Sequence, residues 1–142
     1  MSERDLLFAI LHWSAVPGAS RHHWGTEIDV YDRNAIAAGD SFSLQPHEYS
    51  EQGCFCRLAA WLDVSLSKGD SSAGFFRPYN GTTGVAPEPW HLSYKPVAKR
   101  FEAMQTKETL YEFYMQRDEL CLLDVLLLHF DEVYDSYIVV AS

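Results

Sequence analysis

The sequence is short of cysteines and of basic residues, and each shortage excludes a class of protein. Its 142 residues contain three cysteines, an odd number whose closest pair is spaced C-x-C. Neither a disulfide framework nor a C-x-x-C zinc site is therefore expected. Twenty acidic side chains against eleven basic ones give a net charge of −9. This balance argues against nucleic acid and against an anionic membrane surface as partners, because both require clustered positive charge.

Long apolar runs are also missing. The apolar run Leu120–Phe130 is too short to span a bilayer and is interrupted by Asp124. The stretch Leu6–Leu11 follows Glu3 and Asp5 rather than a basic region, so no signal peptide is visible. The sequence thus predicts no membrane segment in this chain.

The negative charge is concentrated near the C-terminus. Residues 1–100 contain 11 acidic and 9 basic side chains, whereas residues 101–142 contain 9 acidic and 2 basic ones. No internal repeat, low-complexity tract or Pro/Gly linker divides the chain. We expect residues 1–142 to form one domain and a monomer, with the acidic C-terminal helices presenting a solvated face.

The hydrophobic pattern predicts short helices and strands without a βαβ rhythm. Helices are predicted over Arg4–His12, over His47–Ser67 with Gly69 as its stop, from the cap Thr106 to about Gln116, and from the cap Asp118 to about Val133. Strands are predicted over Glu27–Tyr31, Gly74–Phe76, Trp90–Tyr94 and Tyr137–Val140, and a loop over Asn34–Gln45. The fold class is therefore α+β, a small antiparallel sheet with helices packed around it.

Two short segments supply the residues that can carry chemistry, one around His22 and Asp29 and the other around Glu88 and His91. Asp29 and His91 each lie on the polar face of a predicted strand. If the two strands pair antiparallel, these side chains are neighbours with Cβ atoms roughly 4.5–5.5 Å apart. Gly25 permits a turn that brings the imidazole of His22 back over the same face.

Two imidazoles and one carboxylate that leave a fourth position open are typical ligands of a catalytic zinc. Glu88 is then the natural general base. Pro87 and Pro89 exclude a regular helix here, and a bend before Trp90 would place the carboxylate beside the metal. Zinc lowers the pKa of a bound water to about 7 and polarises a carbonyl, while a nearby carboxylate accepts the proton. The predicted chemistry is hydrolysis of an amide bond.

The motif S-x-H-x-x-G-x-x-x-D from Ser20 to Asp29, followed by E-x-x-H from Glu88 to His91, resembles the zinc D-alanyl-D-alanine carboxypeptidases of the VanY type. That wider family includes D,D-dipeptidases and phage endolysins. The resemblance extends from about Ile10 to about Pro96. It implies a D,D-peptidase or hedgehog-like zinc peptidase fold. Its implied site consists of the zinc ligands His22, Asp29 and His91, the catalytic base Glu88 and, near the substrate, Ser20.

The substrate implied by the resemblance is the peptidoglycan stem peptide, cleaved at its terminal D-Ala–D-Ala bond, and the implied location is the cell envelope or periplasm. Two alternatives remain open. An endolysin-like peptidase or a D,D-dipeptidase would keep the metal and cut another wall-peptide bond. A zinc-containing module that binds wall peptides without turnover is the other, although binding alone does not require Glu88.

The chain departs from the family in one respect. Family members usually carry, well upstream of the first motif, a helical segment with an arginine that binds the substrate. Only 21 residues precede His22, and Arg4 does not fit that pattern. We therefore expect the chain to be shortened at its N-terminal side relative to the family, with Arg21 and Arg77 as candidate substitutes.

Two neighbours of the motif residues are weighed as alternatives. Glu27 shares a strand face with Asp29 and offers another carboxylate ligand, but the family pattern favours Asp29. His23 is adjacent to His22 and should therefore point elsewhere.

Overall fold

Three short strands form one antiparallel sheet in the computed structural model, which describes residues 1–67 and 73–140. Strand β1 is Glu27–Asp29, β2 is Phe75–Phe76 and β3 is His91–Tyr94, and β3 lies between the other two. In the β1–β3 pair Asp29 is opposite His91 and Glu27 is opposite Ser93. The predicted α+β class and the antiparallel pairing of these two strands are confirmed.

Six helices surround the sheet within the described residues: α1 (Glu3–Leu11), α2 (Cys56–Leu66), α3 (Lys95–Met104), α4 (Lys107–Tyr114), α5 (Leu123–Leu128) and α6 (Phe130–Val133). Helix α1 begins after Ser2, whose hydroxyl accepts a hydrogen bond from the backbone N–H of Asp5. Helix α4 begins after the predicted cap Thr106, whose hydroxyl accepts from Thr109 N–H. Both caps satisfy backbone donors that a helix start leaves unpaired.

The helix predicted over residues 47–67 is wrong in its first part, because α2 begins only at its tenth residue. The chain first folds back on itself, and the N–H of Phe55 donates to the carbonyl of Glu48 at 2.8 Å. A Cβ on Gly53 would lie 2.2 Å from that carbonyl oxygen, so only glycine fits this crossing. The predicted stop at Gly69 lies outside the described residues.

The C-terminal region also differs from its prediction. The single helix predicted from Asp118 is two helices, α5 and α6, and α5 begins after Leu122, whose φ is 60°. The strand predicted over Tyr137–Val140 is absent from the described sheet, because the chain closes a π-type turn over Tyr134–Ile138. That turn is held by a hydrogen bond from Val139 N–H to the Tyr134 carbonyl at 2.9 Å. The partly buried side chains of Tyr134, Tyr137 and Ile138 pack against the core without a strand partner.

Helix α3 has no counterpart in the sequence prediction. It follows β3 directly, and Pro96 occupies its first turn, where a missing N–H is harmless. Ala98 is fully buried, while Val97 and Met104 are exposed. The helix therefore packs along one narrow stripe, and its Phe101 stacks on Trp24.

The apolar core lies in separate clusters around the polar sheet. The largest joins α1, α4, α5 and α6 and consists of Leu7, Leu11, Val16, Ala19, Leu110, Tyr114, Leu126, Phe130 and Val133. A second cluster (Tyr49, Phe55, Ala59 and Trp90) packs beside the turn that leads into β3. Between them the buried face of β1 and β3 is polar, since Glu27, His91 and Ser93 are buried while Ile28 is exposed. Among the helices described, none is long and apolar enough to cross a membrane.

Candidate active site

The two paired strands bring Asp29 and His91 side by side, as the strand pattern predicts. His22 lies on a short 3-10 turn, Arg21–Trp24, which ends at Gly25 in the left-handed conformation with φ 68°. Nε2 of His22 is 3.4 Å from Oδ1 of Asp29, and Nδ1 of His91 is 3.9 Å from the same oxygen. The ligand atoms that these three side chains offer lie within 4.8 Å of one another.

A tight turn before β3 places the side chain of Glu88 next to His91. The N–H of His91 donates to the carbonyl of Glu88 at 3.1 Å, and Pro89 sits at the second position of that turn, which its fixed φ favours. Oε2 of Glu88 is then 2.8 Å from Nδ1 of His91. Two further hydrogen bonds hold this turn. Arg77 Nε donates to the Pro89 carbonyl at 3.0 Å, and Glu88 N–H donates to the Tyr79 backbone carbonyl at 2.9 Å. The predicted bend before β3 is confirmed.

Glu27 contacts the opposite edge of the His91 ring. Its Oε2 lies 2.8 Å from Nε2 of His91, and its side chain is fully buried. Its Oε1 accepts hydrogen bonds from Ser93 Oγ at 2.7 Å and Thr26 Oγ1 at 2.9 Å, with Arg21 Nη2 at 3.4 Å. Glu27 is thus separate from the cluster of three ligand atoms. The signal that points to it is the strand face that it shares with Asp29.

For both His91 and Glu27, the effect of hydrogen bonds and charges on the pKa outweighs the effect of burial. Burial lowers the pKa of His91, but its hydrogen bonds to Glu27 and Glu88 raise it overall, to about 9. Burial raises the pKa of Glu27, whereas hydrogen bonds with His91 and Ser93 and the charge of Arg21 hold it below its ordinary value. Without a metal ion, the pair is therefore an ionised carboxylate against a protonated imidazole at neutral pH.

A cleft of about 270 Å³ opens over these residues. Its polar wall consists of Ser20, His22, Asp29, Glu88 and His91. Its other walls are mostly apolar or aromatic and include Trp13, Val16, Ala19, Tyr79, Val85, Trp90, Tyr137 and Ile138. A peptide that enters this cleft therefore meets both polar and apolar side chains.

The two arginines weighed as substrate-binding substitutes do not line the cleft. Arg21 is buried against Glu27 and Ser93, and its Nη1 pairs with Glu102 at 2.8 Å. Arg77 pairs with Asp63 and holds the Pro89 carbonyl. Within the part of the chain that the structure describes, the cleft-lining residues include no arginine or lysine. Both expectations are therefore wrong.

The donor set fits a divalent metal ion. Zinc bonds of about 2.1 Å in a tetrahedron set neighbouring donor atoms about 3.4 Å apart. The separation of His22 Nε2 from Asp29 Oδ1 is 3.4 Å, and that of His91 Nδ1 from the same oxygen is 3.9 Å. Two imidazole nitrogens and a carboxylate oxygen, with Glu88 alongside, form the donor set typical of metal-dependent hydrolases.

Comparison with known proteins also indicates a hydrolase, and it narrows the class to peptidases. Residues 2–97 match the family model VanY, described as D-alanyl-D-alanine carboxypeptidase, and the chain belongs to that family. The family is one of peptidases. The chain is also 33% identical over 124 residues to an uncharacterized protein of Haemophilus influenzae, an alignment that covers 87% of this chain and 93% of that protein. No solved structure matches the chain.

Proposed function

We propose that the chain is a zinc-dependent peptidase that cleaves the terminal D-Ala–D-Ala bond of peptidoglycan stem peptides, with His22, Asp29 and His91 as the metal ligands. The observation that carries this proposal is the convergence of the three ligand atoms within 4.8 Å, with Glu88 Oε2 at 2.8 Å from His91 Nδ1. Membership of the VanY family supports the peptide substrate.

Each of these cleft residues has a separate role in the proposed hydrolysis. Zinc, when bound, would lower the pKa of the attacking water and polarise the scissile carbonyl. Glu88 accepts a proton as the water oxygen bonds to the carbonyl carbon, and it returns that proton to the amine nitrogen as the C–N bond breaks. Ser20 donates a hydrogen bond to the substrate close to the metal. The products are free D-alanine and a peptide one residue shorter.

A second candidate keeps the same chemistry and changes the bond. A carboxypeptidase must accommodate a free carboxylate beside the scissile bond, and the cleft residues that the structure describes include no arginine or lysine to pair with it. This observation favours an endolysin-like activity on an internal wall-peptide bond. It does not favour a D,D-dipeptidase, the other alternative, because that substrate also has a free carboxylate beside the scissile bond. The family itself is described by the carboxypeptidase activity, which keeps that reaction first.

The wider assignments follow from the same proposal. Residues 1–142 would form a single zinc peptidase domain with the D,D-peptidase or hedgehog-like fold, acting as a monomer. Its substrate places its work at the cell envelope or periplasm. These assignments rest on the family and on the α+β arrangement around the candidate site.

The test combines metal analysis with cleavage of a stem pentapeptide by the purified chain. We expect one equivalent of zinc and release of a single D-alanine. Glu88→Gln should abolish the product and retain the zinc, whereas Glu51→Gln, the same change at an exposed position, should retain both the activity and the zinc.

The other outcomes separate the alternatives. Cleavage confined to an internal bond, or to a peptide with an amidated C-terminus, would support the second candidate. Bound zinc without a product from any wall peptide would leave a binding module. A wild-type chain that binds no metal, and that His91→Ala leaves unchanged, would overturn the site.

A further inference from the structure

The buried contact between Glu27 and His91 has a use beyond holding β1 against β3. Nδ1 of His91 is on the cleft side with Asp29 and Glu88, whereas Nε2 faces the interior and Glu27. The two nitrogens of a neutral imidazole differ, because one carries a hydrogen and the other a lone pair. A partner that fixes the hydrogen on one nitrogen therefore decides what the other one presents.

Glu27 is itself held in one orientation. Its Oε1 receives the hydroxyls of Ser93 and Thr26, which leaves Oε2 directed at His91. Arg21 Nη2 donates to Ser93 Oγ at 2.8 Å and lies 3.4 Å from the Glu27 carboxylate, so it both orients the hydroxyl and offsets the buried charge. A carboxylate is an acceptor on both oxygens, and the only nitrogen it can satisfy on His91 is one that bears a hydrogen.

Of the two carboxylates that contact His91, only Glu27 can keep its contact when the ring is a metal ligand. Glu88 is hydrogen-bonded to Nδ1, the nitrogen on the side of Asp29. That nitrogen cannot donate to Glu88 and offer its lone pair to a metal at the same time. The hydrogen bond from Nε2 to Glu27 is compatible with ligation, and it leaves Glu88 free for proton transfer.

We propose that Glu27 is a positioning residue that holds the hydrogen of His91 on Nε2 and thereby keeps the Nδ1 lone pair directed at the metal. This inference rests on the proposed function, since it assigns Glu27 to the metal site described there. Carboxylates that orient a ligating imidazole in this way strengthen metal binding, and their loss costs about 10–100-fold in affinity or activity.

Glu27→Gln tests the proposal, because it keeps the size of the side chain and changes the polarity of one end. The Ser93 and Thr26 hydroxyls select the amide oxygen at the Oε1 position, so the amide NH2 faces His91. The ring must then accept at Nε2 and carry its hydrogen on Nδ1, where it blocks the metal. We expect zinc affinity, measured by competition with a chelator, to fall about 10–100-fold. Glu112→Gln, at an exposed position on α4, should leave it unchanged.

A spectroscopic measurement on the wild-type chain keeps the test independent of how well the variant folds. With ¹⁵N-labelled histidine and bound zinc, we expect His91 to coordinate through Nδ1 and to show a slowly exchanging Nε2–H that is shifted by its hydrogen bond to the carboxylate. Zinc coordination through Nε2 would overturn the inference, as would equal zinc affinity in a folded Glu27→Gln variant. A wild-type chain that binds no zinc would overturn the proposed function and this inference together, so the two failures are distinguishable.

Discussion

His91 has a carboxylate oxygen 2.8 Å from each ring nitrogen, and this arrangement concentrates the chemistry of the site in one residue. One carboxylate, Glu27, is fully buried, and the other, Glu88, borders the cleft. The buried one suits a fixed structural contact, because nothing competes for it. The one at the cleft suits a proton carrier, because it can exchange its contact with His91 for one with a substrate.

The raised pKa of His91 makes the stability of the metal-free chain depend on pH. The folded-state pKa is about 9 and the ordinary value is 6.5, so the folded state binds the proton more tightly. The resulting contribution, on the order of 3 kcal/mol, is fully present below about pH 6.5 and is lost as the pH rises towards 9. Urea unfolding of EDTA-treated protein between pH 6 and 9.5 measures it.

A matched pair of variants assigns this pH dependence. His91→Gln should flatten the slope of the free energy of unfolding over that range, whereas His47→Gln, at an exposed histidine, should retain it. An unchanged slope in His91→Gln would assign the dependence to another group.

Ser20 is proposed to contact the substrate rather than the metal, and this division predicts a specific kinetic effect. Ser20 lines the cleft and directly precedes the turn that contains His22. Ser20→Ala removes one hydrogen bond worth about 1 kcal/mol, so KM should rise about fivefold with kcat little changed. Zinc affinity should remain that of the wild type. A lost zinc ion, or a fall in kcat alone, would contradict this role.

At the scale of elements, the site was more predictable from the sequence than the fold around it. Alternation along Glu27–Asp29 and His91–Tyr94 is a local property, and it was sufficient to pair Asp29 with His91. The proline after Glu88 likewise defines a local turn. The role of Glu27 was not predictable from its own strand, because it depends on the ring orientation of a residue 64 positions away.

The errors in the prediction share a physical cause. Within residues 47–67 the helical spacing runs only from Phe55 to Leu66, and the residues before it fold back so that Phe55 N–H donates to the Glu48 carbonyl, a contact that periodicity does not encode. The segment Tyr137–Val140 is apolar and β-branched, which favours a strand, but the π-type turn at Tyr134–Ile138 places it against the core instead. Tertiary contacts override local propensity in both cases.

The crossing at Gly53 should be among the most sensitive positions in the fold. A Cβ there would lie 2.2 Å from the Glu48 carbonyl oxygen, and backbone atoms cannot rotate away as a side chain does. Gly53→Ala should therefore cost about 3 kcal/mol of stability, the upper end of the range for overpacking. Thermal or urea unfolding measures the loss.

Gly39→Ala is the control for this substitution. Gly39 has φ 95° and no atom within 4 Å of an added Cβ, so the change tests backbone strain without a clash. Its cost should be about 1 kcal/mol. Equal losses of stability in the two variants would show that the clash with the Glu48 carbonyl does not determine the cost of Gly53→Ala.

At the scale of the whole molecule, the cleft is assembled from three separate stretches of the chain. The first motif, the segment from Tyr79 to His91 and the C-terminal turn with Tyr137 and Ile138 all line it. Gly84 N–H donates to the Ser136 carbonyl at 2.6 Å, which joins the last two. The C-terminal turn lies beyond residues 2–97, which match the family model. The cleft therefore includes a wall that the match to the family model does not cover.

Binding of zinc should stabilise the entire chain, because its proposed ligands come from two paired strands of the sheet, β1 and β3, and from the turn before β1. His22 precedes β1, Asp29 ends β1 and His91 begins β3, so unfolding of any of them disperses the three donors. At a hundredfold excess of zinc over its Kd the stabilisation is about 2.7 kcal/mol, or about 5–10 °C in Tm for a domain of this size. His22→Ala should abolish the shift, whereas His23→Ala, at the exposed neighbouring histidine, should preserve it. Equal shifts in both variants would indicate that zinc binds elsewhere, and calorimetry with and without EDTA decides between these outcomes.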